Sequence, residues 1–178
     1  FLLNVYENKL IESIEDPGLL ALFEQERESW RLYCESTSNA FGKIVLGKFQ
    51  YNLKATFRNN YEFDIMNQRL SSLVYLYSKD VSALGDNMCG WNNVADGFDN
   101  VRKGIKSDSD SEYEYSYDEK VAALEEDKKA FNEYIRVHAN LLEEMGISGD
   151  EDHLLYLKAQ TLNRFMDYYD DVVIRTYD

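Results

Sequence analysis

Apolar residues recur every three or four positions over most of the chain, a spacing typical of helices with one buried face. The pattern runs from Leu2 to Ile14 and breaks at Asp16-Pro17-Gly18, which predicts a short helix over residues 2–15. It restarts at Gly18 and continues to about residue 39, which predicts a second helix.

Residues 43–60 mix apolar and polar positions without a clear period, and we interpret them as an irregular or partly helical connection. A third helix is predicted over residues 61–84, where Gly85 ends it. Its predicted buried seam consists of Phe63, Met66, Leu70, Leu73, Tyr77 and Leu84.

Residues 86–116 change character, because Asn, Gly, Asp and Ser dominate there; they predict a linker with a short amphipathic piece at 97–105. Helical spacing resumes at Tyr117 and ends at Gly146, and a last long helix follows Glu151. Since only a few residues separate these two helices, we expect them to pack antiparallel.

These elements predict an all-α fold of about five or six helices. Two antiparallel helical-hairpin units, residues 1–85 and 117–178, form a helical bundle and are joined by the acidic linker at 86–116. A single proline and nine glycines in 178 residues disfavour a many-stranded sheet, which needs frequent turns.

The two units align with each other, which predicts an internal repeat. Residues 21–35 match 122–136 at an offset of 101, so that Trp30 corresponds to Phe131 and Tyr33 to Tyr134. Residues 63–77 match 155–169 at an offset of 92. Any two amphipathic acidic helices share some of this likeness, but here the order of the helices repeats as well.

The charge is strongly acidic, with 33 Asp and Glu against 19 Lys and Arg and a formal net charge of −14. Such a field repels nucleic acid and anionic membranes, and it attracts basic proteins or cations; the acids could equally serve only solubility.

No apolar run approaches the roughly 20 residues that span a bilayer. Because the chain starts within a helical pattern at Phe1, we expect a trimmed, exported product whose leader has been removed.

No motif for catalysis or for a cofactor stands out. His138 and His153 lack a Cys or His partner at metal-ligand spacing, so we predict no metal site, and His138 is interpreted as a satisfied position on the seam. No phosphate-binding loop or nucleophile elbow is present in the sequence. Carboxylate pairs are frequent, but a chain this acidic contains them by chance, so a hydrolase using such a pair is the least favoured hypothesis.

The end of the linker holds the candidate partner-binding residues. Tyrosines alternate there with acids, which makes an amphipathic acidic patch suited to a basic surface, although a disordered spacer has the same composition. The candidates are Tyr113, Tyr115, Tyr117, Asp108, Asp110 and Glu112. Asp108, Asp110 and Glu112 also imitate the ligand spacing of a calcium loop, but Tyr113 occupies the place where its tight turn needs Gly.

Two cysteines, Cys34 and Cys89, allow one disulfide at most. Cys34 falls on the apolar side of the second helix beside Tyr33, where a packed thiol is an equally good interpretation. An oxidising compartment would favour pairing. Both alternatives stay open.

Three segments of the first unit resemble the N-terminal domain of LprI-type lysozyme inhibitors, a family of exported bacterial helical domains. They are Leu3 to Tyr6 (LNVY), Glu26 to Cys34 (ERESWRLYC) and Asn67 to Leu73 (NQRLSSL), within residues 2–84, with a fainter echo at 117–175. Residues 43–60 lack the cysteine that the family has before its last helix, so Cys34 with Cys89 would be a substitute pairing.

The resemblance implies export to the periplasm or cell surface and, for some members, inhibition of lysozyme, a strongly basic enzyme. We therefore expect a non-enzymatic, exported binder of a basic protein, without a cofactor. The alternative is a cytoplasmic acidic decoy that mimics nucleic acid and occupies a DNA-binding protein.

Overall fold

The computed structural model describes residues 2–46, 51–80, 87–105, 115–147 and 151–175, and the side chains of all of these but 51–57 and 168–175. This part of the chain contains six helices and no strand, which confirms the predicted all-α bundle. The helices are α1 (Leu2–Ser13), α2 (Pro17–Ile44), α3 (Tyr51–Ser78), α4 (Trp91–Gly104), α5 (Tyr117–Met145) and α6 (Glu151–Arg175).

Local capping explains where several helices begin and end. The Asp16 carboxylate accepts hydrogen bonds from the backbone N–H groups of Gly18 and Leu19, at 2.7 and 2.9 Å, and so starts α2. Ser116 and Glu119 form a reciprocal capping box at the start of α5. Gly146 ends α5 in the left-handed region, with φ of 65°. The predicted breaks at Asp16 and Gly146 are confirmed.

Two segments that were predicted as connections, residues 43–60 and 86–116, contain more helix than expected. α2 continues to Ile44 and α3 begins at Tyr51, so of the two alternatives for residues 43–60, an irregular or a partly helical connection, the structure supports the partly helical one. α4 lies inside the segment predicted as a linker and is longer than the piece expected at 97–105. Its residues Val94, Phe98 and Val101 are buried in the main core, so α4 is an element of the fold.

The most extensive helix–helix contact joins α2 and α5, which run antiparallel. α5 and α6, which were expected to pack as an antiparallel pair, make far fewer contacts with each other, so that expectation is wrong as the main packing of the second unit. Glu26 near the start of α2 meets His138 near the end of α5, whereas Lys43 at the other end of α2 lies over Tyr115. α1 packs against α3 as α4 packs against α6. We call α1–α3 repeat A and α4–α6 repeat B.

Burial supports the repeat but corrects half of its alignment. The offset of 101 between α2 and α5 pairs Tyr33 with Tyr134, and these rings stack with centroids 5.6 Å apart, as equivalent residues do near an approximate twofold axis. The offset of 92 between α3 and α6, in contrast, pairs exposed Phe63 with buried Leu155. An offset of 89 matches burial better, because it pairs Arg69 with Lys158 and Ser72 with Thr161, all four of them buried.

The predicted seam of α3 is also wrong in part. Phe63, Met66 and Tyr77 are 64%, 50% and 46% exposed. The buried face of α3 instead comprises Tyr61, Ile65, Arg69, Ser72, Leu73, Tyr75 and Leu76. Arg69 and Ser72 are polar and interrupt the apolar spacing on that face. The neighbouring face, with Phe63, Met66 and Tyr77, has the more regular apolar spacing in the sequence, so it was predicted to be buried.

Candidate functional site

Of the six candidate partner-binding residues, the structure describes only Tyr115 and Tyr117. Tyr115 is half-buried, with the Lys43 Nζ 5.9 Å from its ring centroid, and Tyr117 is exposed at the first turn of α5. These two tyrosines flank the Ser116 cap beside the end of α2. Asp108, Asp110, Glu112 and Tyr113 lie outside the described residues.

The two cysteines are free thiols in the structure. Both pack against the main core, Cys34 from α2 and Cys89 from the residues before α4. Burial raises the pKa of Cys34 to about 12, so its thiolate is scarce at neutral pH. Cys34 therefore fits the alternative of a packed thiol that the sequence left open.

A charged group that the sequence did not predict is buried where α2, α3 and α5 meet. The Arg69 cluster consists of Glu26, Arg69 and His138, whose side chains are fully buried. Two guanidinium nitrogens of Arg69 donate to the two carboxylate oxygens of Glu26 at 2.5 and 2.7 Å. His138 Nδ1 lies 2.9 Å from one of those oxygens, and the Arg69 Cζ lies over the Trp30 ring, 5.0 Å from its centroid.

These contacts keep Glu26 ionised. Burial alone would raise the pKa of Glu26, but the charge of Arg69 and the hydrogen bonds from His138 and Arg69 outweigh it and lower the pKa to about 2. At neutral pH the Glu26 carboxylate is therefore ionised and paired, and it is not poised to act as a proton donor or acceptor.

Repeat B contains a second buried charged group. The Lys158 cluster consists of Thr37, Asp127 and Lys158, and the Lys158 ammonium lies 2.7 Å from both oxygens of Asp127. It also donates to the Thr37 hydroxyl at 3.3 Å, which in turn lies 2.8 Å from the Tyr61 hydroxyl. The rings of Tyr33, Phe98 and Phe131 surround the ammonium, with centroids at 4.8, 5.2 and 5.4 Å.

The two clusters correspond to each other under the corrected alignment. Glu26 matches Asp127 and Thr37 matches His138 at the offset of 101, while Arg69 matches Lys158 at the offset of 89. Each repeat therefore supplies an acid and a base of its own, and the other repeat supplies the third group. This arrangement ties the two repeats together through their α2–α5 interface.

The space beside the Arg69 cluster is too small for a substrate. The cavity beside the Arg69 cluster holds about 10 Å³, room for a water molecule at most. Within the described ranges, no three His, Cys, Asp or Glu side chains converge in a way that could hold a metal ion. The charged groups of each cluster bind one another, which supports a structural role.

The exposed face of α3 presents apolar side chains to solvent. Phe63 and Met66 lie three residues apart, so they are neighbours on one helix face, and both are at least half exposed. Met66 corresponds to Leu155 in repeat B, which is 2% exposed and part of the core. We call Phe63 and Met66 the α3 apolar pair.

Comparison with known proteins gives no relative: no family model, curated protein or solved structure matches this chain. Among the helices described, none is long and apolar enough to cross a membrane.

Proposed function

We propose that this chain is a non-enzymatic binding protein whose acidic surface engages a basic partner protein. The observation that supports this most is where the charge lies. The two buried acid–base pairs, Glu26 with Arg69 and Asp127 with Lys158, are neutral as pairs. The whole formal net charge of −14 therefore belongs to the rest of the chain.

Local ion pairs already occupy several of the surface arginines. Arg27 pairs with Glu24, and Arg31 pairs with Glu28 and Glu35 along α2. On the other helices, the pairs are Arg102 with Glu125, Arg136 with Glu133, and Arg164 with Asp64. Since these cations are matched at short range, the uncompensated surface charge is acidic, which steers a basic protein toward the bundle.

The α3 apolar pair supplies the short-range contact in this proposal. Charge complementarity mainly accelerates association and selects partners, whereas aromatic and Met side chains buried at the centre of an interface contribute most of the affinity. Phe63 is the most exposed of the large apolar side chains described. Its position beside Met66 fits such an anchor.

Lysozyme is the basic partner that the family resemblance suggests, and export to the periplasm or cell surface follows from the same resemblance. Of the three motifs that carry it, the segment Glu26 to Cys34 contributes Glu26, Trp30 and Tyr33 to the buried clusters and their aromatic neighbours. That motif thus supports a shared fold more directly than a shared contact surface. Export and lysozyme as the partner therefore rest on the resemblance alone, whereas binding to a basic protein rests on the charge.

A titration against lysozyme tests both the charge and the anchor. We expect binding by calorimetry at low salt, with a matching loss of lysozyme activity. Replacing the anchor by Phe63→Ser with Met66→Ser should weaken binding about tenfold or more. The control Leu32→Ser alters a comparably exposed apolar residue on α2 and should leave the affinity unchanged.

The outcomes separate the parts of the proposal. Binding that survives both serine replacements contradicts the anchor, and binding without loss of enzyme activity contradicts inhibition. The absence of any binding at low salt removes lysozyme as the partner.

A further inference from the structure

Two buried polar atoms beside the Arg69 cluster have no hydrogen-bond partner among the described residues. They are Arg69 Nε and Ser72 Oγ, on successive turns of the buried face of α3. Arg69 uses its other two guanidinium nitrogens for Glu26. A buried donor without a partner costs on the order of 1–3 kcal/mol, so such atoms in a folded protein call for an explanation.

A small cavity borders both residues. Its volume is about 10 Å³, and Trp30, Tyr33, Gln68 and Tyr134 contribute to its wall together with Arg69 and Ser72. One water molecule needs on the order of 10–15 Å³ of such space. The cavity is therefore too small for an organic ligand, and its wall is polar on the side of α3.

The equivalent polar atoms in repeat B have hydrogen-bond partners within the protein. Thr161, the counterpart of Ser72, donates its hydroxyl to the Leu157 carbonyl at 3.0 Å. Lys158, the counterpart of Arg69, has a single nitrogen, which Asp127 and Thr37 engage. The unmatched donor arises only where the base is an arginine, because a guanidinium presents an Nε–H beside its two terminal nitrogens.

We propose that one water molecule binds in this cavity, accepting a hydrogen bond from Arg69 Nε and donating one to Ser72 Oγ. The water gives Arg69 Nε a hydrogen-bond partner and helps to orient the guanidinium, which binds both oxygens of Glu26 and lies over the Trp30 ring. The site is specific to repeat A and is independent of the proposed function.

A crystal structure at high resolution and solution NMR test the site together. We expect one density peak within hydrogen-bond distance of both atoms, and a cross-relaxation signal between water and the Arg69 Hε that reports a long-lived bound molecule. A map in which Ser72 Oγ instead donates to the Gln68 carbonyl, with no density beside Nε, would overturn the proposal.

Variants of Ser72 sharpen the test in the full-length chain. Ser72→Val fills the cavity with methyl groups and should abolish the water signal at Arg69 Hε. Ser72→Ala removes one partner without filling the space and should reduce that signal, which covers the case that the valine variant does not fold. Ser71→Ala, whose hydroxyl donates to the Asn67 carbonyl, is the matched control and should leave the signal intact. An undiminished signal in a folded Ser72→Val protein would contradict the assignment.

Discussion

The two repeats solve the same packing problem with different chemistry. Each buries an acid on its middle helix against a base on its third helix, Glu26 with Arg69 in repeat A and Asp127 with Lys158 in repeat B. Repeat A uses a planar guanidinium that forms two parallel bonds and lies over the Trp30 ring. Repeat B uses a compact ammonium enclosed by three aromatic rings.

The difference shows in what burial does to each pair. In repeat A, the hydrogen bonds and charge around Glu26 outweigh its burial and lower its pKa. In repeat B, burial is the larger effect and lowers the pKa of Lys158, although Asp127 opposes the shift. The surroundings of Glu26 in repeat A therefore favour its ionised form, whereas burial in repeat B disfavours the charged form of Lys158.

Removing one charge from each pair should produce the largest effects. Glu26→Gln removes the carboxylate bound to the buried Arg69 guanidinium and leaves it only the more distant Glu7, at 3.9 Å. Arginine cannot give up its proton, so we expect a loss of about 3–5 kcal/mol in the free energy of unfolding. Lys158→Met should cost less, because Asp127 can take up a proton and become neutral. Urea denaturation at neutral pH measures both.

Glu24→Gln provides the control for these two variants, since it removes an exposed acid that pairs with Arg27 on the same helix. Its effect should be far smaller. A greater loss for Lys158→Met than for Glu26→Gln would reverse the comparison.

Acid should weaken repeat A through Glu26. Its pKa is about 2 in the folded protein against 4.5 for the ordinary side chain, so the stabilisation is complete above about pH 4.5 and is lost as the pH falls toward 2. The size is about 3 kcal/mol at neutral pH. Subtracting the pH profile of Glu26→Gln from that of the wild type isolates this contribution from other acids. A difference that stays constant from neutral pH to pH 2 would contradict the assignment.

The close contact of α4 with α6 should tolerate little added volume. A Cβ on Gly97 would lie 3.0 Å from Leu162 Cδ1 and 3.2 Å from Leu162 Cβ, so the buried Leu162 side chain or the helices would have to shift. We expect Gly97→Ala to cost about 1–3 kcal/mol despite its better helix propensity. Gly42→Ala, inside α2, meets only Arg58 Nη2 at 3.9 Å and is the matched control. Equal thermal stability of the two variants would argue against the close packing.

Replacing the whole pair of repeat B should have the smallest effect. Lys158→Met with Asp127→Leu removes both charges and keeps apolar volume among the rings, so stability should stay within about 1 kcal/mol of the wild type or rise. A double-mutant cycle with the single variants measures the coupling. Additive losses would show that the two side chains do not act as a pair.

Local signals in the sequence were sufficient for the start of α2 and the end of α5 and insufficient for the buried charges. They also failed at the end of α3, which was predicted at Gly85 and lies at Ser78. Asp16 and Gly146 act on adjacent backbone groups, so their roles can be predicted from the residues around them. The Arg69 cluster joins residues 43 and 112 positions apart, and no spacing rule connects those. α4 escaped prediction over its first turns because Asn, Asp and Gly surround its few buried side chains.

Polar residues on the buried face and apolar residues on the exposed face explain why the predicted seam of α3 is wrong in part. Arg69 and Ser72 on the buried face lowered its apparent hydrophobicity, and Phe63 and Met66 on the exposed face raised theirs. A repeat alignment that matched Arg69 with Lys158 would have revealed the buried face, since two basic residues at equivalent positions signal a shared role.

We propose that the acidic charge outside the buried pairs is what binds the partner protein, and the salt dependence of lysozyme binding tests this proposal most directly. The measurement compares the dissociation constants of the wild type and of Lys158→Met with Asp127→Leu, which has the same net charge. Between about 0.01 and 0.15 M salt, where the screening length falls from about 30 to 8 Å, both should weaken equally, by about tenfold or more. A dissociation constant that does not change with salt would contradict the claim.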